Sequence, residues 1–342
     1  MRTKISAVSV FVIVFFLMLA AFLFGSQNDT MRVPAQQGSS LKKFQWAEAL
    51  GRSSPSRKKL CSCKLCTSES GLSLWFDERY NRTVRPLLTK SNAFISKDIY
   101  EWWLVSLQKE GNPKNITTVI QDLFETIPGA DLYTHEEPDR CRKCAVVGNS
   151  GNLKGSGYGN QIDHNNFVMR MNRAPTTGFE SDVGSKTTHH FMYPESAKNL
   201  PANISLVLIP FKTLDLQWVI SALTTGSIKL TYAPVKQFLR VDKDKVGIYN
   251  PEFFKYVYHN WSKKHGRYPS TGMLTLIFAL HICDEVNLYG FGADSRGNWH
   301  HYWENNQHAG AFRATMVHDG DFEANITRAL ASIKKVNIFK GI

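Results

Sequence analysis

The sequence that organises this chain reads Cys144-Ala145-Val146-Val147-Gly148-Asn149-Ser150-Gly151-Asn152-Leu153. Its apolar, β-branched run predicts a buried strand, and the two glycines with Asn and Ser between them predict a tight turn. A helix should begin after the turn, so that backbone N–H groups and the positive end of a helix dipole meet at one place. Such a place suits a phosphate group. An ordinary strand-to-helix turn of an α/β fold would have the same pattern.

The glycines that follow limit the kind of nucleotide that could bind. Gly155, Gly157 and Gly159 do not have the spacing of the dinucleotide fingerprint, and no Walker lysine motif is present. A nucleotide is compatible with the turn, whereas an NAD or ATP site is not supported.

Size and charge narrow the class of protein. The chain has 342 residues, of which 43% are hydrophobic and 12% aromatic, so it can form a substantial globular core. A net charge of +12 would suit nucleic acid, anionic lipid or an anionic small substrate. Since the basic residues are scattered and no nucleic-acid-binding motif accompanies them, we do not expect a nucleic-acid partner.

The N-terminus predicts a membrane anchor. Residues 5–24 are interrupted only by Ser6 and Ser9, which is long enough for a helix to cross a bilayer, and Arg2 and Lys4 precede it. A cleaved signal peptide is the alternative, but its apolar core normally has only about 7 to 15 residues. The positive-inside rule predicts a cytoplasmic tail over residues 1–4, a signal anchor over 5–25, a flexible stem over 26–58 and a lumenal domain over 59–342.

Sequons and cysteines agree with a lumenal domain. The spacing between Cys63/Cys66 and Cys141/Cys144, about 75 residues, is far from the roughly 15 to 20 of a zinc ribbon, so zinc is the minority interpretation. Six cysteines in an oxidising compartment allow three disulfides, with fifteen connectivities. Six N-x-S/T sequons, which fit a chain that meets the glycosylation machinery, lie at Asn28, Asn81, Asn115, Asn203, Asn260 and Asn325.

The remaining pattern predicts a three-layer α/β/α sandwich with a mainly parallel sheet. Candidate strands at residues 167–171, 187–193, 204–211 and 286–292 alternate with candidate helices at 214–223 and 273–283, and another helix follows His318. Ser270 or Thr271 would cap the second of these helices. Ligands bind at the carboxyl ends of such strands, where the Gly148 turn and Asn172 would both lie.

A literal D-x-D occurs at Asp242-Lys243-Asp244, but it lies among Lys236, Arg240 and Lys245. This composition is typical of a solvated loop. We therefore predict no metal site there.

Four segments resemble, in the right order, the long, short, third and very short sialyl motifs of the eukaryotic sialyltransferases. They are residues 144–195, 267–291, 301–304 and 318–323. Their sequences are similar to those of the β-galactoside α2,3-sialyltransferases that use Galβ1,3GalNAc acceptors. The similar stretches are Gly148-Asn149-Ser150-Gly151-Asn152, His189-His190-Phe191-Met192-Tyr193-Pro194-Glu195 and His300-His301-Tyr302-Trp303-Glu304-Asn305-Asn306.

The resemblance implies a variant GT-A, Rossmann-like fold in a single-pass type II protein of the Golgi membrane. It implies transfer of sialic acid from CMP-sialic acid, in α2,3 linkage, to the galactose of Galβ1,3GalNAc on glycoproteins or glycolipids. The reaction would invert the anomeric carbon in one displacement, with no metal and no cofactor. Transfer to Galβ1,4GlcNAc in α2,3 or α2,6 linkage, or a non-catalytic lumenal glycan-binding protein, is the alternative, and a homodimer is left open.

The resemblance also assigns roles to residues. His318 would be the general base, since imidazole titrates near pH 6.5, and His301 would stabilise the leaving phosphate. CMP-sialic acid would bind Asn149, Ser150, Asn172, Tyr232, Gly272 and His301, and the acceptor would bind Gln108, Tyr193 and Tyr268. His189, His190 and His300 would have structural roles. The implied disulfides are Cys144 with Cys283, Cys61 with Cys66, and Cys63 with Cys141.

Overall fold

The computed structural model describes residues 60–133, 139–305 and 317–342. The predicted tail, signal anchor and stem lie outside these residues, as does the Asn28 sequon. Among the helices that are described, none has both the length and the apolar character needed to cross a membrane.

Eight strands of the described chain form one sheet. They are β1 Leu87–Leu88, β2 Lys143–Val147, β3 Phe167–Met171, β4 His189–Met192, β5 Ser205–Leu208, β6 Val246–Tyr249, β7 Glu285–Tyr289 and β8 Asn337–Phe339. Their order in the sheet is β1-β6-β5-β4-β3-β2-β7-β8. All neighbouring pairs are parallel except β1 with β6, so the mainly parallel sheet is confirmed. From β2 the chain builds the sheet outward through β3 to β6, and it then returns to the other side of β2 as β7.

Helices follow most of these strands. In the described residues they are α1 Leu74–Asp77, α2 Lys97–Ser106, α3 Ile116–Thr126, α4 Gly159–Asp163, α5 Glu180–Val183, α6 Thr213–Leu223, α7 Pro251–Tyr256, α8 Thr271–Ile282 and α9 Gly320–Ser332. A π-helical turn, Val257–Trp261, continues α7.

The central strand shows why there are three layers. Cys144 and Val146 of β2 belong to a large apolar cluster that includes most of α8, whereas Ala145 and Val147 belong to a smaller cluster with Ile162 of α4 and Val183 of α5. Successive residues of a strand point to opposite faces, so each face of the sheet is covered by helices.

Helix α8 has the predicted cap and burial. The Ser270 hydroxyl accepts a hydrogen bond from the Met273 N–H, and Cys283 ends the helix. Its interior is apolar around almost its whole circumference and buried, as expected of a helix in the core that packs against the central strands β2, β3 and β7.

The six cysteines form three disulfides, in the pairs that the resemblance implies: Cys61–Cys66, Cys63–Cys141 and Cys144–Cys283. The last of these joins the first buried residue of β2 to the C-terminal end of α8. No thiol remains for zinc.

Five strands of the sheet differ from the sequence prediction. The predicted strands at 204–211 and 286–292 end earlier, at Leu208 and Tyr289, because the residues that follow turn toward the cavity described below. The strands β1, β6 and β8 were not predicted. They have two to four residues each, so their pairing partners, rather than a local pattern, define them.

Candidate active site

A cavity of about 900 Å³ lies at the carboxyl ends of the central strands. Its walls come from the turns after β2, β3, β4 and β7, and from the N-terminal ends of α8 and α9. This is the point where the strand order reverses, which is where open α/β sheets bind ligands. Every predicted catalytic and substrate-binding residue contributes to the lining: Gln108, Asn149, Ser150, Asn172, Tyr193, Tyr232, Tyr268, Gly272, His301 and His318.

The turn after β2 is close to the turn after β7. The Gly148 N–H donates to Tyr289 O at 2.7 Å, and a Cβ on Gly148 would lie 2.2 Å from the carbonyl oxygen of Gly290. Only glycine permits this approach. The Asn149 side chain is thereby presented to the cavity, and its Oδ1 is buried with no hydrogen-bond partner among the described residues. A buried amide oxygen without a partner fits a ligand that supplies a donor.

The His300–Tyr302 segment is attached to the same turn through its backbone. Gly151 N donates to His300 O at 2.7 Å, and Tyr302 N donates to Asn149 O at 3.0 Å. His301 therefore lies opposite Ser150. Its Nδ1 is 3.0 Å from Glu304 Oε1 and its ring stacks on Trp303, so the ring is held against the cavity wall.

Asn172 follows β3 in a conformation that is unusual for a residue other than glycine, with φ of 55°. Three contacts hold it: its N–H donates to Phe191 O, its carbonyl accepts from His190 Nε2 at 2.6 Å, and its Oδ1 accepts from the Ser196 hydroxyl. Burial lowers the pKa of His190 to about 3, so that ring is neutral and donates from Nε2. His190 is thus a structural support, as predicted.

His318 lies directly before α9, whose N-cap is Asp319. Its Nδ1 is 2.8 Å from the carbonyl oxygen of Tyr268. Because a carbonyl only accepts, Nδ1 carries the proton and Nε2 carries the lone pair. Burial lowers the pKa of His318 below its ordinary value, although the bond to Tyr268 acts in the opposite direction. The ring is therefore neutral and able to accept a proton at neutral pH.

A turn that requires glycine supports His318. Gly266 has φ of 69°, and a Cβ there would lie 2.8 Å from Val317 O. Arg267 N donates to the same Val317 carbonyl at 2.8 Å. The chain on either side of His318 is therefore fixed from outside the cavity by the segment that also carries Tyr268.

The predicted acceptor residues form an aromatic wall. The ring of Phe211, which was not predicted, packs against Tyr193 at 5.9 Å and against Tyr268 at 5.0 Å. Tyr268 in turn packs against His318. Gln108 lines the same cavity.

Tyr232 differs from the other predicted residues because its side chain is 76% exposed. Its loop is held by Glu195, whose Oε1 accepts from Tyr232 N at 2.9 Å and from the Thr231 hydroxyl. Glu195 ends the long motif, but its partners are 36 and 37 residues away, so no local sequence pattern indicates this contact.

Glu323 is a further residue whose role was missed. It accepts from Ser270 N at 2.7 Å and from the Ser270 hydroxyl, which joins the beginning of α9 to the cap of α8. Burial raises the pKa of Glu323 to about 7, against the effect of both hydrogen bonds. Its presence with His318 in one H-x₄-E segment was the available signal.

Two patterns of the sequence were considered as metal sites, the C-x-x-C pairs and Asp242-Lys243-Asp244. Neither pattern brings three free ligands together in the described residues. In the described chain the one group of three with suitable spacing is Cys63, Cys141 and Glu285, and its two sulfurs are joined in a disulfide. Asp242 caps a short turn through the Asp244 N–H, which agrees with the predicted loop.

Comparisons with known proteins agree with the resemblance. The sequence profile of glycosyltransferase family 29 (sialyltransferase) matches residues 87–335. The CMP-N-acetylneuraminate-beta-galactosamide-alpha-2,3-sialyltransferase 1 of Gallus gallus is 63% identical over 282 residues, which cover 82% of either chain. The corresponding sialyltransferase 2 of Rattus norvegicus is 60% identical over 83% of this chain and 81% of its own.

Two solved structures are similar to this fold. The crystal structure of a mammalian sialyltransferase matches with a TM-score of 0.77 at 57% identity, over 82% of this chain and 99% of that one. A mammalian sialyltransferase in complex with Gal-beta-1-3GalNAc-ortho-nitrophenol matches with a TM-score of 0.76 at 56% identity, over 82% of this chain and all of that one.

Proposed function

Because the chain belongs to glycosyltransferase family 29, the sialyltransferases, we propose that it transfers sialic acid from CMP-sialic acid, in α2,3 linkage, to the galactose of Galβ1,3GalNAc. The names of the relatives and the ligand of the similar crystal structure support this donor, linkage and acceptor. The observation that carries the proposal is a neutral imidazole, His318, between an aromatic wall and a turn with an unpartnered amide oxygen.

In the proposed reaction the galactose 3-hydroxyl attacks C2 of sialic acid. His318 Nε2 takes the hydroxyl proton as the new C–O bond forms, and the bond from C2 to the phosphate oxygen breaks. The electron pair leaves with CMP. Attack from the face opposite the leaving group inverts C2.

The charge on the departing phosphate needs hydrogen-bond donors. Asn149, Asn172 and Tyr232 would supply them, together with the Ser150 hydroxyl and the backbone N–H of Gly272. His301 is oriented by Glu304 through Nδ1, and in the doubly protonated form it would donate to the phosphate from Nε2. Since these donors act on the leaving group directly, the mechanism requires no metal.

Incubation of the full chain with CMP-sialic acid and a Galβ1,3GalNAc glycoside tests the function. We expect release of CMP together with a product that an α2,3-specific sialidase cleaves, at the same rate with and without EDTA. A Galβ1,4GlcNAc glycoside should be a poorer acceptor. Binding of CMP without release would favour a glycan-binding protein, and a loss of rate in EDTA would contradict the metal-free mechanism.

The acidic limb of the kcat profile should lie below pH 6.5. The neutral imidazole is the form that accepts the proton, and burial lowers the pKa of His318 below its usual value of about 6.5. Turnover should therefore rise with pH through this lowered pKa and level off before neutrality. The measurement is kcat at saturating donor and acceptor between pH 5 and 8.

Glu323 supplies the control for this profile, because its pKa of about 7 lies nearby. The Glu323→Gln variant keeps the size of the side chain and removes its titration. The acidic limb should stay where it is. A limb that disappears in this variant belongs to Glu323 and not to His318.

We propose further that the chain is a type II protein of the Golgi membrane, with a tail over residues 1–4, an anchor over 5–25, a stem over 26–58 and a lumenal catalytic domain. The apolar N-terminal segment and the sequons support this arrangement, as do the three disulfides, which are typical of an oxidising compartment.

A further inference from the structure

A buried ion pair lies behind the acceptor wall of the cavity. Lys212 and Asp215, at the beginning of α6, are 4% and 0% exposed, and Lys212 Nζ is 2.7 Å from Asp215 Oδ1. Neither residue lines the cavity. A charged pair in the interior is costly unless its hydrogen bonds are satisfied, so its other contacts indicate what it does.

The second contact of Lys212 is to a residue that does line the cavity. Lys212 Nζ is 2.6 Å from Gln108 Oε1, and an ammonium group can only donate. The Gln108 amide therefore has one orientation: Oε1 accepts from Lys212, and the NH₂ group is left to donate elsewhere. This gives a physical basis for the amide orientation, which geometry alone often leaves ambiguous.

The orientation of Gln108 determines what it can offer the cavity that it lines. With its oxygen committed to Lys212, Gln108 can offer only the donors of its NH₂ group. Lys212 and Gln108 thus form a chain of donors that begins at a buried positive charge.

Asp215 fixes the apolar part of the same wall. Its Oδ2 accepts from Phe211 N at 2.8 Å, and the Phe211 ring packs against both Tyr193 and Tyr268. One carboxylate therefore holds the source of the donor chain and the ring that the acceptor tyrosines pack against.

We propose that the Lys212–Asp215 pair is a positioning element for acceptor recognition, which fixes the acceptor side of the cavity as a hydrogen-bond donor. The sugar atom that meets the Gln108 amide must accordingly be an oxygen that accepts a hydrogen bond. This inference rests on the proposed function, because it assumes that the sugar beside Gln108 is the galactose acceptor.

The test is a double-mutant cycle on acceptor affinity. In Lys212→Met/Asp215→Asn, methionine fills the space of the lysine stem and asparagine still accepts from Phe211 N. The loop that carries Gln108 should stay in place, because Glu110 Oε2 accepts from Thr213 N at 2.9 Å. The readout is the Kd of a Galβ1,3GalNAc glycoside measured by saturation-transfer NMR in the presence of CMP, which does not depend on turnover.

We expect this variant to weaken acceptor binding about 10-fold, the upper end of the net contribution of one ordinary hydrogen bond, with the Kd of CMP unchanged. Gln108→Leu should weaken it by a similar factor. The variant with all three substitutions should be no weaker than Gln108→Leu, because the ion pair acts through the Gln108 amide.

Lys335→Met is the matched control. Lys335 is also buried, at 3% exposed, but it donates to Thr67 O and Glu69 O at the opposite end of the sheet. It should lower the melting temperature without changing acceptor affinity. Independent effects of Lys212 and Gln108 that multiply in the combined variant would overturn the proposal, as would an unchanged acceptor Kd or a parallel loss of CMP affinity. Failure of the proposed function is a different result, namely no transfer by the unaltered chain.

Discussion

Replacement of His318 by alanine should lower kcat by about 10² to 10⁴-fold, the range that a general base contributes, while CMP binds as before. His318 lines the cavity with a neutral imidazole whose Nδ1 is committed to the backbone carbonyl of Tyr268. Its loss removes the proton acceptor without touching Asn149 or Asn172. Single-turnover rates and CMP titration, measured on the same preparation, separate the two effects.

Two further variants make this result specific. His318→Gln can still donate to the Tyr268 carbonyl, so it keeps the local structure but offers no base, and it should be as inactive as alanine. His164→Ala removes an exposed imidazole whose Nδ1 also meets a carbonyl, that of Asn160, and it should be fully active. Turnover that survives in both His318 variants would place the base elsewhere, and a matching loss of CMP affinity would make His318 a binding residue.

Removal of the Cys144–Cys283 disulfide should have the largest effect on stability. The bond closes a loop of 139 residues, for which the chain-entropy model gives about 5 kcal/mol. It ties the amino end of β2 to the C-terminal end of α8, and the opposite ends of both elements form the cavity. Cys144→Ala/Cys283→Ala should therefore melt at a much lower temperature and lose activity on mild heating.

The Cys61–Cys66 disulfide is the internal control. It spans five residues, for which the same model gives only about 2 kcal/mol. Cys61→Ala/Cys66→Ala should thus lower the free energy of unfolding by about 3 kcal/mol less than the other pair, as measured by guanidinium unfolding of the full chain. Equal losses from the two pairs would contradict the loop-length explanation.

The parts of the fold that were predictable carry strong local patterns. The run before Gly148, the apolar length of α8 with its serine cap and the turn before α9 all identify their structures without help from distant residues. The strand β6 illustrates the opposite case. Val-Gly-Ile-Tyr follows a charged turn and has too few residues for a period, so its identity depends on pairing with β5 and β1.

The candidate site divides in the same way. His318, His301 and the two asparagines, Asn149 and Asn172, lie in motifs whose residues are specific enough to indicate their roles. Glu195, Phe211 and the Lys212–Asp215 pair contact the site through partners up to 104 residues away in the chain, and no spacing rule connects such positions. Sequence thus predicted the groups that meet substrate better than the groups that hold them in place.

The disulfides near residue 60 have a consequence for access. Cys63 is bonded to Cys141 and Thr67 N donates to Asp284 O, so residues 60–67 lie at the amino ends of β2 and β7, whereas the cavity lies at their carboxyl ends. Residues 60–67 thus lie behind the working surface of the domain, so a branched or polymeric glycan could reach the cavity without having to pass them.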